Sequence, residues 1–238
     1  MTATTRPTVF LFDIDGTLIL TGGAGRRSME AAFEETQGRG AAAVLDFSFG
    51  GMTDFAIVRT GLRTLGNEAP DAAAIERVLA SYLVHLDDQV SRSDYRIMPG
   101  VKDVLGWLTG FERIAIGLGT GNVKKGAYKK LTRGELHDSF AFGGFGCDAE
   151  DRVELLRIGA QRGAAALGLP LSECRIVVIG DTPKDVAAAK GIGAECIGVG
   201  TGGFEPSALL ELGAVSAFAT LEEDGVRHAL LEAHLSAR

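Results

Sequence analysis

Cysteine is scarce in this sequence, and its spacing does not suit a cross-linked or zinc-bound protein. The 238 residues include three cysteines, Cys147, Cys174 and Cys196, and no two of them form a CxxC pair. An odd number of widely spaced thiols excludes the usual disulfide framework and the usual zinc-ligand spacing. Reduced thiols are typical of a cytoplasmic protein, so we expect a cytoplasmic location and cysteines that act as small buried apolar residues.

Long apolar runs and an excess of positive charge are also missing. No run approaches the roughly 18 apolar residues of a membrane-spanning helix, and the N-terminus lacks the apolar core of a secretory signal. Lysine and arginine number 24 against 31 aspartates and glutamates, which gives a formal net charge of −7. An acidic chain is a poor partner for nucleic acid or for an acidic membrane surface, so we expect neither partner.

What the sequence does contain is a buried strand that ends in two acids. Residues 9–12 are the apolar run VFLF, followed by Asp13, Asp15 and the turn residues Gly16 and Thr17. Four apolar residues in a row predict a strand that is buried on both faces. Carboxylates at the end of such a strand cost desolvation free energy unless a cation or hydrogen-bond donors meet them. A functional site is therefore expected at this strand end.

The rest of the sequence alternates between predicted strands and helices, except for one helical block. Residues 1–20 and 98–238 contain apolar strands separated by amphipathic helices, which indicates right-handed crossovers and a parallel sheet. Residues 21–97 contain only predicted helices, with a glycine-rich hinge at 21–25 and a Met-Pro-Gly hinge at 98–100. The predicted fold class is therefore α/β, a Rossmann-like core domain with an inserted all-helical domain.

Two more predicted strands end in polar residues that suit a phosphate or a metal. One strand is followed by Thr120, Gly121 and Asn122, and another by Asp181, with Asp185 four residues later. Open parallel sheets bind their ligands outside the carboxyl ends of the strands. All three strand ends are therefore expected to meet at one site.

These segments resemble the motifs of the haloacid dehalogenase superfamily. DIDGTL at residues 13–18 is similar to its first motif, Thr120 stands where its second motif has a serine or threonine, and GDTPKD at residues 180–185 is similar to its fourth. With the helical insertion, the resemblance implies a C1-type cap of the kind found in phosphoglycolate-phosphatase-like members. It also implies a Mg²⁺-dependent phosphatase that hydrolyses a small phosphorylated metabolite.

The resemblance implies a role for each acid. Asp13 would be the nucleophile and form an aspartyl-phosphate, while Asp15 would first protonate the leaving alcohol and then activate water. Asp13, the backbone carbonyl of Asp15, and Asp181 would hold Mg²⁺, with Asp185 behind them or bound through a water. The cation would offset the charge of the phosphate ester, which otherwise repels a carboxylate nucleophile.

The phosphate group is expected at the strand end that carries Thr120. The Thr120 hydroxyl and the backbone N–H groups of Gly121 and Asn122 stand at a predicted helix start, which is a ready anion site. An ordinary helix cap is the alternative for this segment. Gly16, in the turn after the first motif, is a further expected phosphate contact.

The third motif of the superfamily, a basic residue, has no clear counterpart. We assign its role to Arg152, in the segment GCDAEDRVELL, with Lys125 as the competitor because it follows the phosphate segment closely. The alternative for Arg152 is a surface ion pair with Asp148 or Glu154, which would contribute little stability.

Several other functions are found on the same type of site, and the sequence favours some of them over others. A sugar phosphomutase of the β-phosphoglucomutase kind uses the same two aspartates, and a catalytically idle binding module should have lost an acid. A dehalogenase would lack Asp15, and a phosphonatase would need a cap lysine, whereas residues 21–97 contain none. Residues 50–54 are expected to meet the substrate or only to start a helix. The sequence leaves open the physiological ester and whether the protein is a monomer or a homodimer.

Overall fold

The computed structural model describes residues 6–235, and its strands form two sheets. In chain order the strands are β1 (Thr8–Phe12), β2 (Ile19–Leu20), β3 (Arg96–Ile97), β4 (Ile114–Thr120), β5 (Phe142–Phe145), β6 (Arg175–Gly180), β7 (Glu195–Val199) and β8 (Ser216–Phe218). Among the described residues, β2 and β3 pair antiparallel, and the six other strands make one parallel sheet.

Nine α-helices lie among the described residues. They are α1 (Ala24–Gln37), α2 (Asp54–Thr64), α3 (Ala72–Ser91), α4 (Val101–Leu108), α5 (Lys124–Thr132), α6 (Arg152–Ala166), α7 (Pro183–Gly191), α8 (Pro206–Glu211) and α9 (Val226–Leu235). Short 3₁₀ turns lie at Ala41–Leu45, His137–Ser139, Leu171–Glu173 and Gly200–Gly202. None of the described helices is both long enough and apolar enough to span a membrane.

The first strand lies inside the large sheet, not at its edge. The strand order is β5-β4-β1-β6-β7-β8, and every residue of β1 is buried. Thr8 of β1 pairs with Ile114 on one side and with Arg175 on the other. Because the strand order reverses at β1, the ends of β1, β4 and β6 open onto the crevice where parallel sheets bind ligands. The predicted α/β class is confirmed.

Side chains of β1 point alternately to the two faces of the sheet, and helices cover both faces. Phe10 and Phe12 pack with apolar residues of α4, α5 and α9, whereas Val9 and Leu11 pack with those of α6 and α7. Burying one such side chain contributes roughly 1.5–3 kcal/mol to folding. The carboxyl end of β1, which the acids follow, is therefore held rigidly by helices on both faces of the sheet.

The segment between β2 and β3 is helical, as the sequence predicts. Helices α1, α2 and α3 enclose their own apolar cluster, which includes Met29, Phe33, Val58, Leu62 and Tyr82. The pairs Ile19–Ile97 and Leu20–Arg96 join the two ends of the segment. The sequence did not predict this small sheet, because strands of two residues leave no periodic pattern.

The cysteines do not share one environment. Cys174 and Cys196 are buried, as expected, but Cys147 is exposed. The expectation for Cys147 was wrong because this residue lies in the turn after β5, where its sulfur accepts a hydrogen bond from the Lys124 N–H at 3.4 Å.

Candidate active site

The end of β1 places Asp13 inside the crevice. The Asp13 N–H donates to the Ile179 carbonyl at 2.9 Å, so sheet pairing continues to Asp13 and fixes its backbone. The Asp13 side chain is 8% exposed. Burial raises the pKa of Asp13 from its usual value to about 6, although the charge of Arg152 lowers it.

Asp181, at the end of β6, lies against the backbone that follows β1. Thr17 donates its hydroxyl to Asp181 Oδ1 at 2.7 Å. A Cβ added at Gly16 would lie 2.4 Å from Asp181 Oδ2, and one added at Gly202 would lie 1.6 Å from it. Only glycine allows this approach, and Gly16 also has a φ of +90°, which favours glycine. The sequence indicated Thr17 only as a turn residue, and it did not single out Gly202.

The buried acids form a cluster that suits a hard cation. One carboxylate oxygen from each of Asp13, Asp181 and Asp185 lies within 4.8 Å of the others. Burial, and then the neighbouring charges of Asp13 and Asp185, raise the pKa of Asp181 to about 8. Carboxylate oxygens are the ligands that Mg²⁺ prefers, and such a cation would offset this repulsion. The residues therefore fit a divalent metal.

Arg152, the first residue of α6, joins two of these acids. Its Nη2 lies 3.1 Å from Asp13 Oδ2, and its Nε donates to Asp185 Oδ1 at 3.1 Å. The other Asp185 oxygen accepts from the backbone N–H and the hydroxyl of Thr182, which closes a capping box at the start of α7. Because both its oxygens are engaged, Asp185 is placed to orient Arg152.

Arg152 does not form the surface ion pair with Asp148 or Glu154 that was the alternative from the sequence. Its side chain is 10% exposed, and Asp148 and Glu154 pair instead with Arg162 and Arg157. Lys125 is exposed on α5, and it is not among the residues that line the cavity described below.

The segment after β4 also reaches the crevice. Thr120 is fully buried, and its Oγ1 accepts hydrogen bonds from the backbone N–H of Asn122 at 3.3 Å and from Asn122 Nδ2 at 2.9 Å. Thr120, Gly121 and Asn122 line the same cavity as Asp13 and Asp181. The structure thus brings the three predicted strand ends together.

A buried lysine completes the site, and sequence reasoning missed it. Lys130 Nζ lies 2.9 and 2.7 Å from the two Asp15 oxygens and 2.7 Å from Asn122 Oδ1. The buried residues of α5 are Gly126, Ala127, Lys130 and Leu131. Their helical spacing places this lysine on the apolar face of the helix, which is the one signal in the sequence that it is buried. Its contact with Asp15 leaves no such signal.

The cavity measures about 570 Å³ and lies between the sheet and the helical segment. The helical segment contributes apolar side chains, among them Met29, Phe49, Met52, Ile57 and Tyr82. Of the loop predicted to meet the substrate, Gly50, Gly51, Met52 and Asp54 line the cavity. Thr53 instead caps α2, where its Oγ1 accepts from the Ala56 N–H at 3.2 Å.

This loop is attached directly to the segment after β4. The Asp54 N–H donates to the Gly121 carbonyl at 2.8 Å, and Asp54 Oδ2 accepts from the Val123 N–H at 2.8 Å. Lys184 Nζ also donates to the Gly50 carbonyl at 2.9 Å. Burial raises the pKa of Asp54 to about 6, although the charge of Lys130 lowers it.

A comparison with known protein families matches most of the chain, including the three strand ends that meet at the cavity. A family model of haloacid dehalogenase-like hydrolases matches residues 7–193. The chain belongs to the haloacid dehalogenase-like hydrolase family. The matched part of this hydrolase includes Asp13, Asp15, Thr120, Arg152 and Asp181, all of which line the cavity.

Solved structures of similar fold come from several bacteria. A hydrolase from Pseudomonas syringae has a TM-score of 0.63 and 22% identity, covering 96% of this chain and 97% of that one. A predicted phosphoglycolate phosphatase from Haemophilus somnus has a TM-score of 0.67 and 14% identity, covering 96% and 100%. CbbY from Rhodobacter sphaeroides, solved with phosphate, has a TM-score of 0.64 and 20% identity, covering 90% and 95%.

At these sequence identities the similarity supports a shared fold, and it does not support a shared substrate or activity. No curated protein matches the chain.

Proposed function

We propose that this hydrolase is a Mg²⁺-dependent phosphatase that cleaves a small phosphomonoester through an aspartyl-phosphate on Asp13. The observation that carries the proposal is the meeting of Asp13, Asp181 and Arg152 at one end of the cavity, with Asp15 beside them. Binding an anionic ester beside buried carboxylates requires positive charge, and this site can supply it from Arg152 and from a cation.

In the first half of the reaction, an Asp13 oxygen attacks phosphorus and the leaving oxygen departs on the opposite side. Arg152 and the Thr120 hydroxyl are assigned to the phosphoryl oxygens, which they would bind as charge spreads over them. The N–H groups of Gly121 and Asn122, after β4, are assigned to the same anion, for which the Asn122 N–H would exchange its 3.3 Å hydrogen bond to Thr120 Oγ1. Gly16 lies in the turn beneath it.

Asp15 is assigned the proton transfers. It donates a proton to the leaving alcohol oxygen in the first half-reaction, and it removes one from water in the second. Its carboxylate is 44% exposed, so it is accessible from the cavity. Water that attacks the phosphorus of the aspartyl-phosphate releases inorganic phosphate and restores the Asp13 carboxylate.

Asp13, the backbone carbonyl of Asp15, and Asp181 would hold Mg²⁺, with Asp185 acting through Arg152 or a water. When bound, the ion supplies positive charge to the phosphoryl oxygens. The ion-pair geometry places Asp185 behind Arg152, so we propose that its contribution to the metal is indirect.

We further propose two domains, a core of residues 1–20 and 98–238 and a cap of residues 21–97; residues 1–5 and 236–238 lie outside the described part. The cap excludes water from the reaction and selects the leaving group. Its apolar lining suits a leaving group with an apolar body. Arg26 donates to the carbonyls of Leu45 and Phe47, so we assign it to the cap framework.

The test is hydrolysis of p-nitrophenyl phosphate with Mg²⁺, with a chelator, and by Asp13→Asn. Turnover that requires Mg²⁺ and falls by about 10³-fold or more in the variant supports the proposal. The variant should still unfold in one cooperative transition, since an amide replaces a carboxylate of the same shape.

A screen of phosphorylated metabolites then names the ester. A chain that interconverts sugar phosphates with little net hydrolysis would be a phosphomutase. A chain that binds phosphate without turning over any ester would be an idle binding module. Full activity of Asp13→Asn would refute the nucleophile assignment.

A further inference from the structure

The contacts of Asp15 come from two side chains that the proposed chemistry does not otherwise use. Lys130 Nζ contacts both oxygens of the Asp15 carboxylate, and Asn122 Nδ2 donates to Asp15 Oδ2 at 2.8 Å. Lys130 and Asn122 also contact each other at 2.7 Å. The acid–base residue is therefore held from two directions by partners that are themselves joined.

Packing does not account for a lysine at this position. The Lys130 side chain is 5% exposed, while its neighbours on the buried face of α5 are Ala127 and Leu131. Burying an ammonium group costs several kcal/mol, which a carboxylate partner only partly offsets, and an apolar residue would fill the space at no such cost. A purpose other than stability is therefore indicated.

The lysine also decides which way the Asn122 amide points. An ammonium group can only donate hydrogen bonds, so the oxygen of Asn122 must face Lys130. The Asn122 NH₂ group is then turned toward Asp15 and toward Thr120 Oγ1, at 2.8 and 2.9 Å. One lysine thus connects the orientation of the proton-transfer residue with that of the phosphate segment.

We propose that Lys130 is a positioning residue for the proton transfer, one that fixes the Asp15 carboxylate where it meets the leaving oxygen. This proposal rests on the proposed phosphatase function. Asp15 is nearly half exposed and has two side-chain torsions, so without its partners it would take several orientations in the cavity. Proton transfer at hydrogen-bond distance requires one of them.

The test compares two esters with the same ring, p-nitrophenyl phosphate and phenyl phosphate. The p-nitrophenolate anion leaves without a proton, whereas phenoxide is a poor leaving group that needs one. The kcat/KM value reports the steps up to cleavage of the ester and is independent of the later hydrolysis of the aspartyl-phosphate. The measured quantity is the ratio of kcat/KM for phenyl phosphate to kcat/KM for p-nitrophenyl phosphate.

For Lys130→Met we expect kcat/KM for phenyl phosphate to fall at least about 10-fold more than that for p-nitrophenyl phosphate. Asp15→Asn should lower the ratio in the same direction. Lys130→Met should have no further effect on the ratio in the Asp15→Asn background, because both substitutions remove one function. Lys130→Arg, which keeps the charge and the donors, should retain most of the wild-type ratio.

Lys125→Met is the matched control, since it removes a lysine from the exposed face of the same helix. It should leave the ratio unchanged. Equal losses on both esters in Lys130→Met, or no loss, would overturn the positioning role. If Lys130→Met gives no cooperative melting transition, Lys130→Gln, which keeps a polar donor, takes its place; failure of both to fold assigns the lysine to stability and overturns the proposal.

The outcome is separable from that of the proposed function. A wild-type chain that hydrolyses neither ester with Mg²⁺ refutes the phosphatase assignment. A wild-type chain that hydrolyses both, with equal losses in the variant, refutes only the role of Lys130.

Discussion

The guanidinium of Arg152 lies 3.1 Å from the carboxylate of Asp13, and a second acid holds that guanidinium from behind. The order Asp185–Arg152–Asp13 is a chain of buried charges that begins in a helix capping box and ends at the proposed nucleophile. Because each member is oriented by the next, a change in the shape of the arginine should affect Asp13 even when the charge is retained.

Arg152→Lys should therefore be a poor substitute. A lysine keeps the charge but cannot bridge two carboxylates as the planar guanidinium does, so we expect kcat/KM to fall about 100-fold. Arg152→Ala should also lower the free energy of unfolding by about 3–5 kcal/mol, because it leaves buried acids unpaired. The measurements are p-nitrophenyl phosphate kinetics and thermal unfolding.

Arg157→Lys is the matched control on the same helix. Its side chain is 42% exposed and pairs with Glu154, so neither activity nor stability should change measurably. An Arg152→Lys enzyme as active as this control would contradict the assignment of Arg152 to the phosphoryl group.

The stability of the metal-free protein should fall as pH rises. Burial raises the pKa of Asp13 to about 6 and that of Asp181 to about 8, so the folded chain binds more protons than the unfolded chain. The contribution of these groups is thus fully present below the unfolded pKa of about 4 and is lost as pH rises through the folded values. The melting temperature in chelator should therefore be lower near pH 8 than near pH 5.

Mg²⁺ should reverse this loss, because it binds the ionised acids in place of protons. We expect Mg²⁺ to raise the melting temperature by several degrees near pH 8 and much less near pH 5. In Asp181→Asn the Mg²⁺ effect should disappear, and the loss of stability with pH should be smaller. An increase that is the same at both pH values, or that persists in Asp181→Asn, would count against a metal at these residues.

Asp54 should matter for its hydrogen bond more than for its charge. Asp54→Asn keeps an oxygen that can accept from the Val123 N–H, so activity should stay within about threefold of the wild type. Asp54→Ala leaves that buried N–H unpaired and should cost about 1–3 kcal/mol in the free energy of unfolding. Asp54→Ala should also raise KM, because the loop of residues 50–54 loses a contact to the segment after β4, where the phosphate is proposed to bind.

Kinetics and denaturant unfolding of the two Asp54 variants distinguish these effects. If Asp54→Asn were as impaired as Asp54→Ala, the charge of Asp54 rather than the hydrogen bond would be required.

Two glycine substitutions should change stability in opposite directions. A Cβ at Gly144 in β5 would lie 1.8 Å from the Leu155 carbonyl oxygen of α6, so Gly144→Ala should destabilise the fold by about 2–3 kcal/mol. A Cβ at Gly106, inside α4, meets no heavy atom within 4 Å, so Gly106→Ala should stabilise it by about 0.5–1 kcal/mol. Urea unfolding measures both; destabilisation by Gly106→Ala would contradict the packing at α4.

The sequence predicted the sheet and the positions of its acids because both have local causes. The apolar run that ends at Asp13 forms β1, and the runs that end at Thr120 and Gly180 form β4 and β6. A short buried strand needs consecutive apolar residues, and the polar residue that follows it is visible in the sequence.

Features that depend on distant partners were not predicted. Lys130 is one of several lysines on α5, and its contact with Asp15 spans 115 residues. Asp54 was expected to meet the substrate or to start α2, and its contact with Val123 in the segment after β4 was not predicted. Neither contact leaves a local pattern, because each is created when the helical segment packs onto the sheet.

The position of β1 inside the sheet also bears on how a nascent chain acquires its structure. Residues 8–12 are translated well before their neighbours in the sheet, which begin at Ile114 and Arg175. The helices between residues 24 and 91 pack mainly on one another and can form during this delay. One edge of this apolar strand therefore stays unpaired until β6, which begins at Arg175, has been translated. Such an edge is a target for chaperones and a point from which aggregation can start.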